Sequence, residues 1–193
     1  MSLGTWNINI TIGKYPQKVA SAITKLQETI IGVQYEPIAY LGSQEVNGTN
    51  HAVLAEQIVV TERDSKNAVV LIFNEKPGDT EATLIGIDRI VEGSDVFGGV
   101  NIDINTEISN DLMRIWAKAF EGYVGARVTP FAFIGKQVVH GTNYIFAAKF
   151  SPAVYEPEDR VMLVIINDSE TIVRFVDMLE TKYDASLGYA FTW

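Results

Sequence analysis

The sequence contains no cysteine and only two histidines. The missing cysteines exclude disulfides, thiolate nucleophiles and thiolate-ligated zinc, and two histidines exclude a three-histidine metal site. Lysine and arginine number 15 against 24 aspartates and glutamates, a net charge of −9, and the basic residues do not cluster. We therefore expect no nucleic-acid partner, because neutralising phosphates requires clustered basic residues. No apolar run approaches the roughly 18 residues of a membrane span, so we expect no membrane partner either.

The first four residues, Met1–Gly4, have neither a basic start nor an apolar stretch, so no signal peptide is visible. These residues are either native or a leader added to the chain. The expected localisation stays open between the cytoplasm and secretion after removal of a signal.

The chain does contain an internal repeat. Pro37–Asn50 reads PIAYLGSQEVNGTN and Pro130–Asn143 reads PFAFIGKQVVHGTN, with eight of fourteen positions identical at an offset of 93. Average residue frequencies would give about one identity by chance. Turn-forming residues at 92–95 separate the two copies. The sequence therefore predicts two tandem domains, residues 1–95 and 96–193, each close to the common size of an independent domain.

Each copy has the pattern of one helix followed by four strands. Apolar residues spaced 4-3-4, from Val19 to Ile30 and from Leu112 to Tyr123, predict one face of an amphipathic helix. Runs rich in Val, Ile, Phe and Tyr, bounded by turn residues, predict antiparallel strands joined by hairpins. The predicted strands are 37–41, 52–61, 68–73 and 83–91 in the first copy, and 128–134, 144–150, 161–166 and 172–179 in the second. The expected fold class is α+β, with one helix packed on an antiparallel sheet in each domain.

The most similar part of the two copies is a turn. Both turns read Q-x-V-x-G, in which glycine permits positive φ and lets the backbone approach another surface closely. The simpler interpretation is a hairpin that needs its glycine, and the functional one is a recognition hairpin. The residues of the two turns are Gln44, Glu45, Val46, Asn47 and Gly48, and Gln137, Val138, Val139, His140 and Gly141.

The stretch Gln137–Phe150, QVVHGTNYIFAAKF, resembles the central hairpin of the cystatins, protein inhibitors of papain-like cysteine proteases. The resemblance includes the helix before the hairpin and the Gly98-Gly99 pair ahead of that helix. It implies two tandem cystatin-like domains, each a helix wrapped by an antiparallel sheet. It also implies reversible, non-covalent inhibition by an apolar wedge that fills the protease cleft beside the catalytic cysteine.

The inhibitory edge of the cystatins, as the resemblance implies, has three parts: an N-terminal trunk with a glycine, the QxVxG hairpin, and a second hairpin bearing Pro-Trp. Gly98 and Gly99 are the trunk candidates in the second copy, and Gly4 is the candidate in the first. Pro77 and Gly78 match the second hairpin in the first copy, although no tryptophan follows them. The second copy has neither proline nor tryptophan at that place, so the third part is incomplete.

Other polar candidates give weaker signals. His140 at the hairpin tip either faces a partner or is a solvated turn residue, and His51, which aligns with Tyr144, is expected to be a strand residue. Asp88 and Asp177 align as well, and strand-end hydrogen bonds are favoured over acid–base chemistry for them. We find no nucleophile with a base, no phosphate-binding glycine loop and no metal-ligand spacing. We therefore expect no enzyme, no metal and no cofactor.

Alternating aromatic residues at the C-terminus, Tyr189, Phe191 and Trp193, predict either an edge strand or a self-association surface. Three functions follow from these observations. The paired QxVxG turns favour an inhibitor of papain-like cysteine proteases, and the missing Pro-Trp favours a non-inhibitory cystatin-fold module that binds another protein. The aromatic C-terminus favours an assembly module. We take the first as the expected function, with a papain-like protease as the partner.

Overall fold

The computed structural model describes residues 4–60, 65–169 and 173–180. These residues divide into two compact units, with the boundary between Glu92 and Gly93. That boundary lies close to the division after residue 95 that the repeat predicts. Independent folding of each unit stays a prediction.

Five strands and one helix form the first unit. They are β1 (Trp6–Ile12), α1 (Gln17–Thr29), β2 (Val33–Val46), β3 (Gly48–Val59), β4 (Ser65–Glu75) and β5 (Thr83–Glu92). The strands form one sheet in chain order, β1-β2-β3-β4-β5, and every neighbouring pair is antiparallel. The long β2–β3 hairpin therefore lies at the centre of the sheet and ends in the tight turn at Asn47.

The second unit repeats this order of elements. They are β6 (Val100–Asn105), α2 (Asn110–Ala119), β7 (Ala126–Val139), β8 (Gly141–Pro152), β9 (Arg160–Asn167) and β10 (Val173–Asp177). The sheet order is β10-β9-β8-β7-β6, again antiparallel throughout. The β7–β8 hairpin occupies the place that β2–β3 has in the first unit.

The two helices form where the apolar spacing predicts them. Val19, Ile23 and Leu26 are buried on one face of α1 because residues three and four apart share a helix face. The second helix is shorter and buries only Trp116. Its first turn is capped by Ser109, whose hydroxyl accepts a hydrogen bond from the Leu112 amide at 3.4 Å.

The expected fold class is wrong. Two five-stranded antiparallel sheets dominate the described residues, and the helices, of 13 and 10 residues, make up only 14%. The protein is therefore β-rich rather than a pair of α+β cystatin-like domains with one helix packed on each sheet. Burial in the first sheet gives the physical reason. Val53 and Ala55 belong to the core cluster under α1, but Leu54 between them and Val70 opposite it are also buried and lie outside that cluster.

Sequence analysis also missed one strand in each unit, the strand that precedes the helix. Both strands alternate apolar and polar residues, WNINITI in β1 and VNIDIN in β6, which is the signal of a half-buried strand. Each packs against a glycine of the neighbouring strand. A Cβ at Gly42 would lie 2.3 Å from the Asn7 carbonyl oxygen, and one at Gly135 would lie 2.2 Å from that of Asn101. Glycine at these two positions therefore lets the first strand of each unit dock.

Candidate functional site

The two Q-x-V-x-G turns are the tips of the central hairpins. Gly48 and Gly141 have positive φ, 97° and 81°, as expected for such turns. Both glycines are also packed tightly. A Cβ at Gly48 would lie 2.4 Å from the Glu75 carbonyl oxygen, and one at Gly141 would lie 2.7 Å from the Asp168 carboxylate. The neighbouring segment of the same unit is therefore a sufficient reason for each glycine.

The glutamine of each motif begins a row of side-chain amides across the sheet, which we name the amide ladder. Gln137 is 7% exposed and donates to the Gly98 carbonyl oxygen at 2.7 Å. It accepts from Asn143 at 2.9 Å, and Asn143 accepts from Asn167 at 2.8 Å. Gln137 therefore links the trunk, which precedes β6, to the β7–β8 hairpin and, through Asn143, to β9.

The first unit has the same amide ladder. Gln44 donates to the Gly4 carbonyl oxygen at 2.7 Å and accepts from Asn50 at 3.0 Å. Asn50 in turn accepts from Asn74 at 2.8 Å. Because both trunk glycines accept a hydrogen bond from the motif glutamine, the trunk and the hairpin lie side by side in each unit.

A third segment reaches the same end of each sheet. In the second unit, Asp168 accepts from the Thr142 amide at 2.7 Å, and the Ser169 hydroxyl donates to the His140 carbonyl oxygen at 3.0 Å. In the first unit, Glu75 of β4 pairs through its backbone with Thr49 of β3, and the exposed turn with Pro77 and Gly78 follows Glu75. We name the three segments of the first unit edge 1 (residues 4, 45–48 and 76–79) and those of the second edge 2 (residues 96–99, 138–141 and 168–169).

The Gly98-Gly99 pair closes a tight turn before β6. The Gly99 amide donates to the Val96 carbonyl oxygen at 2.8 Å, and a Cβ at Gly99 would lie 2.5 Å from the Ser94 carbonyl oxygen. This turn leaves Phe97 almost completely exposed, at 97%. An aromatic side chain therefore projects into solvent beside the hairpin.

Edge 2 presents an apolar surface. Val138 and Val139 at its hairpin are 53% and 39% exposed, and Val96 and Phe97 of the trunk are exposed too. The imidazole of His140 is also exposed at the tip. Desolvating such apolar side chains against a partner is favourable, so edge 2 has the character of a protein-binding surface.

Edge 1 presents a more polar surface. Glu45 and Asn47 are exposed beside Val46, and the third segment adds exposed Lys76 and the carboxylate of Asp79. Asp79 accepts from the Lys76 amide at 2.9 Å, which closes the turn at Pro77. The hairpin of edge 1 therefore offers a charge where that of edge 2 offers valine, and the polar part of edge 2 is its third segment with the exposed Asp168 and Ser169.

Sequence analysis missed a buried polar cluster behind edge 1. His51 is 7% exposed, its Nδ1 lies 3.0 Å from the Tyr40 hydroxyl oxygen, and its Nε2 lies 3.5 Å from a Glu75 carboxylate oxygen. The other Glu75 oxygen accepts from Lys18 at 2.7 Å. The signal available was a histidine in the buried β3 segment, which the alignment with Tyr144 treated as an ordinary strand residue.

The remaining candidates are not brought together into a reacting site. Asp88 lies on β5 of the first unit, and Asp177 of the second unit caps a turn by accepting from the Leu179 and Glu180 amides at 2.9 and 3.1 Å. The described part of the chain contains no group of three or more acidic or histidine residues that could hold a metal ion. The aromatic residues Tyr189, Phe191 and Trp193 lie outside the described residues.

One pocket of about 300 Å³ lies between α1 and residues 81–84. Ala22 and Leu26 line it, and the ion pair of Lys25 with Glu81 lies at its wall. None of the site residues predicted from the sequence lines it.

Comparisons with protein-family models, with curated proteins and with solved structures found no match to this chain. Neither helix of the described residues has the length and apolar character needed to cross a membrane. The candidate function therefore rests on the two edges and on the motif they contain.

Proposed function

We propose that this protein is a reversible inhibitor of papain-like cysteine proteases and that edge 2 makes the principal contact. The observation that supports the proposal is the meeting of three segments at one end of the second sheet. These segments are the trunk with Gly98 and Gly99, the hairpin with Val138 and Val139, and the turn at Asp168. They correspond to the trunk and the two hairpins of the cystatin inhibitory edge.

The exposed valines and Phe97 supply the apolar contact that such an edge needs. Inserted into an active-site cleft, edge 2 would bury about 800 Å² on each partner, the usual size of an enzyme–inhibitor interface. The turn presents no peptide bond extended along the cleft for attack, so the chain blocks the protease without being cleaved. Inhibition is therefore reversible and non-covalent.

A second candidate is a non-inhibitory module that binds another protein through the same edges. The internal use of the motif favours it, because Gln137 and Gly141 already have partners within their own unit. The third segment of edge 2 also lacks the proline and tryptophan of the cystatins. Both candidates need an exposed binding surface, and they differ in whether that surface enters a protease cleft.

Titration of papain-like protease activity with the full chain tests the proposal. We expect stoichiometric, dilution-reversible inhibition and an intact chain after prolonged incubation. Val138→Asp and Val139→Asp should each raise the inhibition constant at least roughly tenfold, since burying an unpaired polar group costs about 1–3 kcal/mol and an unpaired carboxylate costs more. Both valines are exposed, so these changes should leave folding unaltered.

Val124→Asp is the matched control. Val124 is exposed like Val138, but it precedes β7 and lies at the opposite end of that strand from the hairpin tip. It should inhibit as well as the unchanged chain. Absence of inhibition by a folded chain would reject the inhibitor, and the protein-binding module would then be the function to pursue.

A further inference from the structure

The buried cluster behind edge 1 has an unsatisfied polar atom. Nε2 of His51 is buried and makes no hydrogen bond within the described chain, although Glu75 lies 3.5 Å away. Buried polar atoms in folded proteins nearly always have a partner. This imidazole nitrogen lacks a hydrogen-bond partner and faces a carboxylate. Protonation of the ring would therefore change how His51 interacts with Glu75.

The charged and titratable groups around His51 come from three elements. Lys18 of α1 binds Glu75 of β4, and Tyr40 and Glu45 of β2 lie on the other side. Burial lowers the pKa of His51, and the negative charges of Glu75 and Glu45 oppose that effect only in part. The hydrogen bond from Lys18 holds the pKa of Glu75 below its usual range. At neutral pH the imidazole is therefore neutral and the carboxylate charged.

The cluster is connected directly to the hairpin tip. Thr49 pairs with Glu75 in the β3–β4 ladder, and the backbone of Gly48 packs against the Glu75 carbonyl oxygen. Glu75, whose carboxylate faces His51, is therefore also the residue whose backbone supports the tip.

The corresponding cluster of the second unit has a phenol where the first unit has an imidazole. Tyr144 stands at the position of His51, Phe133 at that of Tyr40, and Asp168 at that of Glu75. The Tyr144 hydroxyl lies 3.5 Å from the Asp168 carboxylate, so a phenol replaces the imidazole beside the acid. A phenol keeps its proton between pH 5 and 8, the range in which histidine titrates.

We propose that His51 makes edge 1 acid-sensitive: protonation of the buried imidazole draws Glu75 away from Lys18 and loosens the hairpin tip at Gly48. We expect no such change behind edge 2, because a phenol stands there in place of the imidazole. The structural change does not depend on the proposed function, but its consequence rests on it. If the edges bind a protease, binding through edge 1 weakens as the pH falls, whereas binding through edge 2 persists.

Hydrogen bonding explains how one proton has this effect. We assign the proton of the neutral ring to Nε2, which faces the carboxylate, so Nδ1 accepts from the Tyr40 hydroxyl. A second proton on Nδ1 turns that nitrogen into a donor, and the Tyr40 hydroxyl must rotate to accept instead. The new positive charge also attracts Glu75, which Lys18 held before.

Nuclear magnetic resonance of the full chain tests the inference without any protease. The chain has only two histidines, so both imidazoles can be followed during a pH titration. We expect the His51 ring to titrate below the ordinary value of 6.5. The amide signals of Gly48 and Thr49 should shift with the same midpoint, and those of Gly141 and Thr142, recorded in the His140→Asn variant so that the neighbouring imidazole is absent, should not shift with it.

His51→Tyr, which installs the residue of the second unit, should abolish the shifts at Gly48 and Thr49, whereas His140→Asn should retain them. Amides at Gly48 and Thr49 that do not follow the titration of His51 would overturn the inference. This observation uses the unchanged chain, so it stands even if His51→Tyr fails to fold. A chain that shows these shifts but does not inhibit proteases would reject the proposed function alone.

Discussion

The two edges share their internal bonds and differ in their surfaces. The glutamine, asparagine and glycine of the repeated segment are identical in both units, and the glutamine and asparagine make the same hydrogen bonds in each. The positions that differ are exposed: Glu45 against Val138, and Asn47 against His140. In the two turns, therefore, the glutamine and the glycine have partners within their own unit, and the residues that differ are exposed to a partner.

Two residues of the Q-x-V-x-G motif have structural roles in both units. Gln and Gly of Q-x-V-x-G are sufficiently explained by the amide ladder and by the close packing of the tip. The residues that would decide binding are those between them and the exposed trunk, above all Val138, Val139 and Phe97. On these grounds edge 2, which is apolar, fits a protease cleft better than edge 1, where Glu45 would lose hydration on binding.

The largest difference between the units should come from the tip glycines. We expect Gly48→Ala to destabilise the protein by roughly 2–4 kcal/mol, because positive φ and overpacking add. Its Cβ meets backbone at the Glu75 carbonyl, which cannot move aside. The Cβ of Gly141→Ala meets the Asp168 carboxylate and the Ser169 hydroxyl, which can rotate, and the Ser169 Cβ, which is fixed to the backbone, so about 1–3 kcal/mol is expected. Urea unfolding of the full chain measures both.

Gly78→Ala separates strain from collision. Gly78 has φ of 91°, close to that of Gly48, but nothing lies within 4 Å of an added Cβ. It should cost about 1–2 kcal/mol, the strain alone. Equal losses at Gly48 and Gly78 would show that packing against Glu75 contributes nothing, and the account of the tip would have to change.

A smaller difference is expected between the two motif glutamines. Gln137 is buried, so Gln137→Ala leaves the Gly98 carbonyl and the Asn143 amide without partners and should cost about 1–3 kcal/mol. Gln44 is only partly buried, and water can replace it, so Gln44→Ala should cost about 0.5–1.5 kcal/mol.

Thermal unfolding monitored by circular dichroism measures the loss of stability in Gln137→Ala and in Gln44→Ala. Gln137→Met serves as the control for lost packing, because it keeps the length of the side chain and removes both hydrogen bonds. A larger loss at position 44 than at 137 would contradict the idea that burial sets the strength of the amide ladder.

Local signals in the sequence were sufficient for the helices and the hairpins but not for the fold class. Helix α1 is indicated by the spacing of Val19, Ile23 and Leu26, and the β2–β3 hairpin by the turn residues around Gly48. The structure confirms both elements, which depend on residues close together in the sequence. Burial of Leu54 on the face away from α1 depends on tertiary packing, which a period-two pattern does not reveal. The pattern of one helix followed by four strands therefore predicted a helix packed on a sheet in each unit, whereas strands dominate the described residues.

The sequence predicted where the candidate site lies but not which contacts hold it together. Conserved spacing within the repeat located both turns, since a β-hairpin is a local structure. The partners of Gln137 lie at Gly98 and Asn143, on strands whose register is set by the whole sheet. The cluster of His51 with Tyr40, Glu75 and Lys18 joins four elements for the same reason, and no sequence spacing indicates it.

The smallest expected effect is the dependence of stability on pH, and it should come from the first unit. The pKa of His51 in the folded protein is lowered, so the unfolded chain binds more protons once the pH falls below 6.5, and stability is lost from there downward. Glu75, whose pKa is also lowered, contributes its loss only below about 4.5. Comparing urea midpoints at pH 7.5 and 5.5 therefore isolates the histidine. We expect the midpoint of the unchanged chain and of His140→Asn to fall, and that of His51→Tyr to fall less. The effect is small because Glu75 partly compensates the buried imidazolium. Equal losses in all three proteins would assign the pH dependence to groups other than His51.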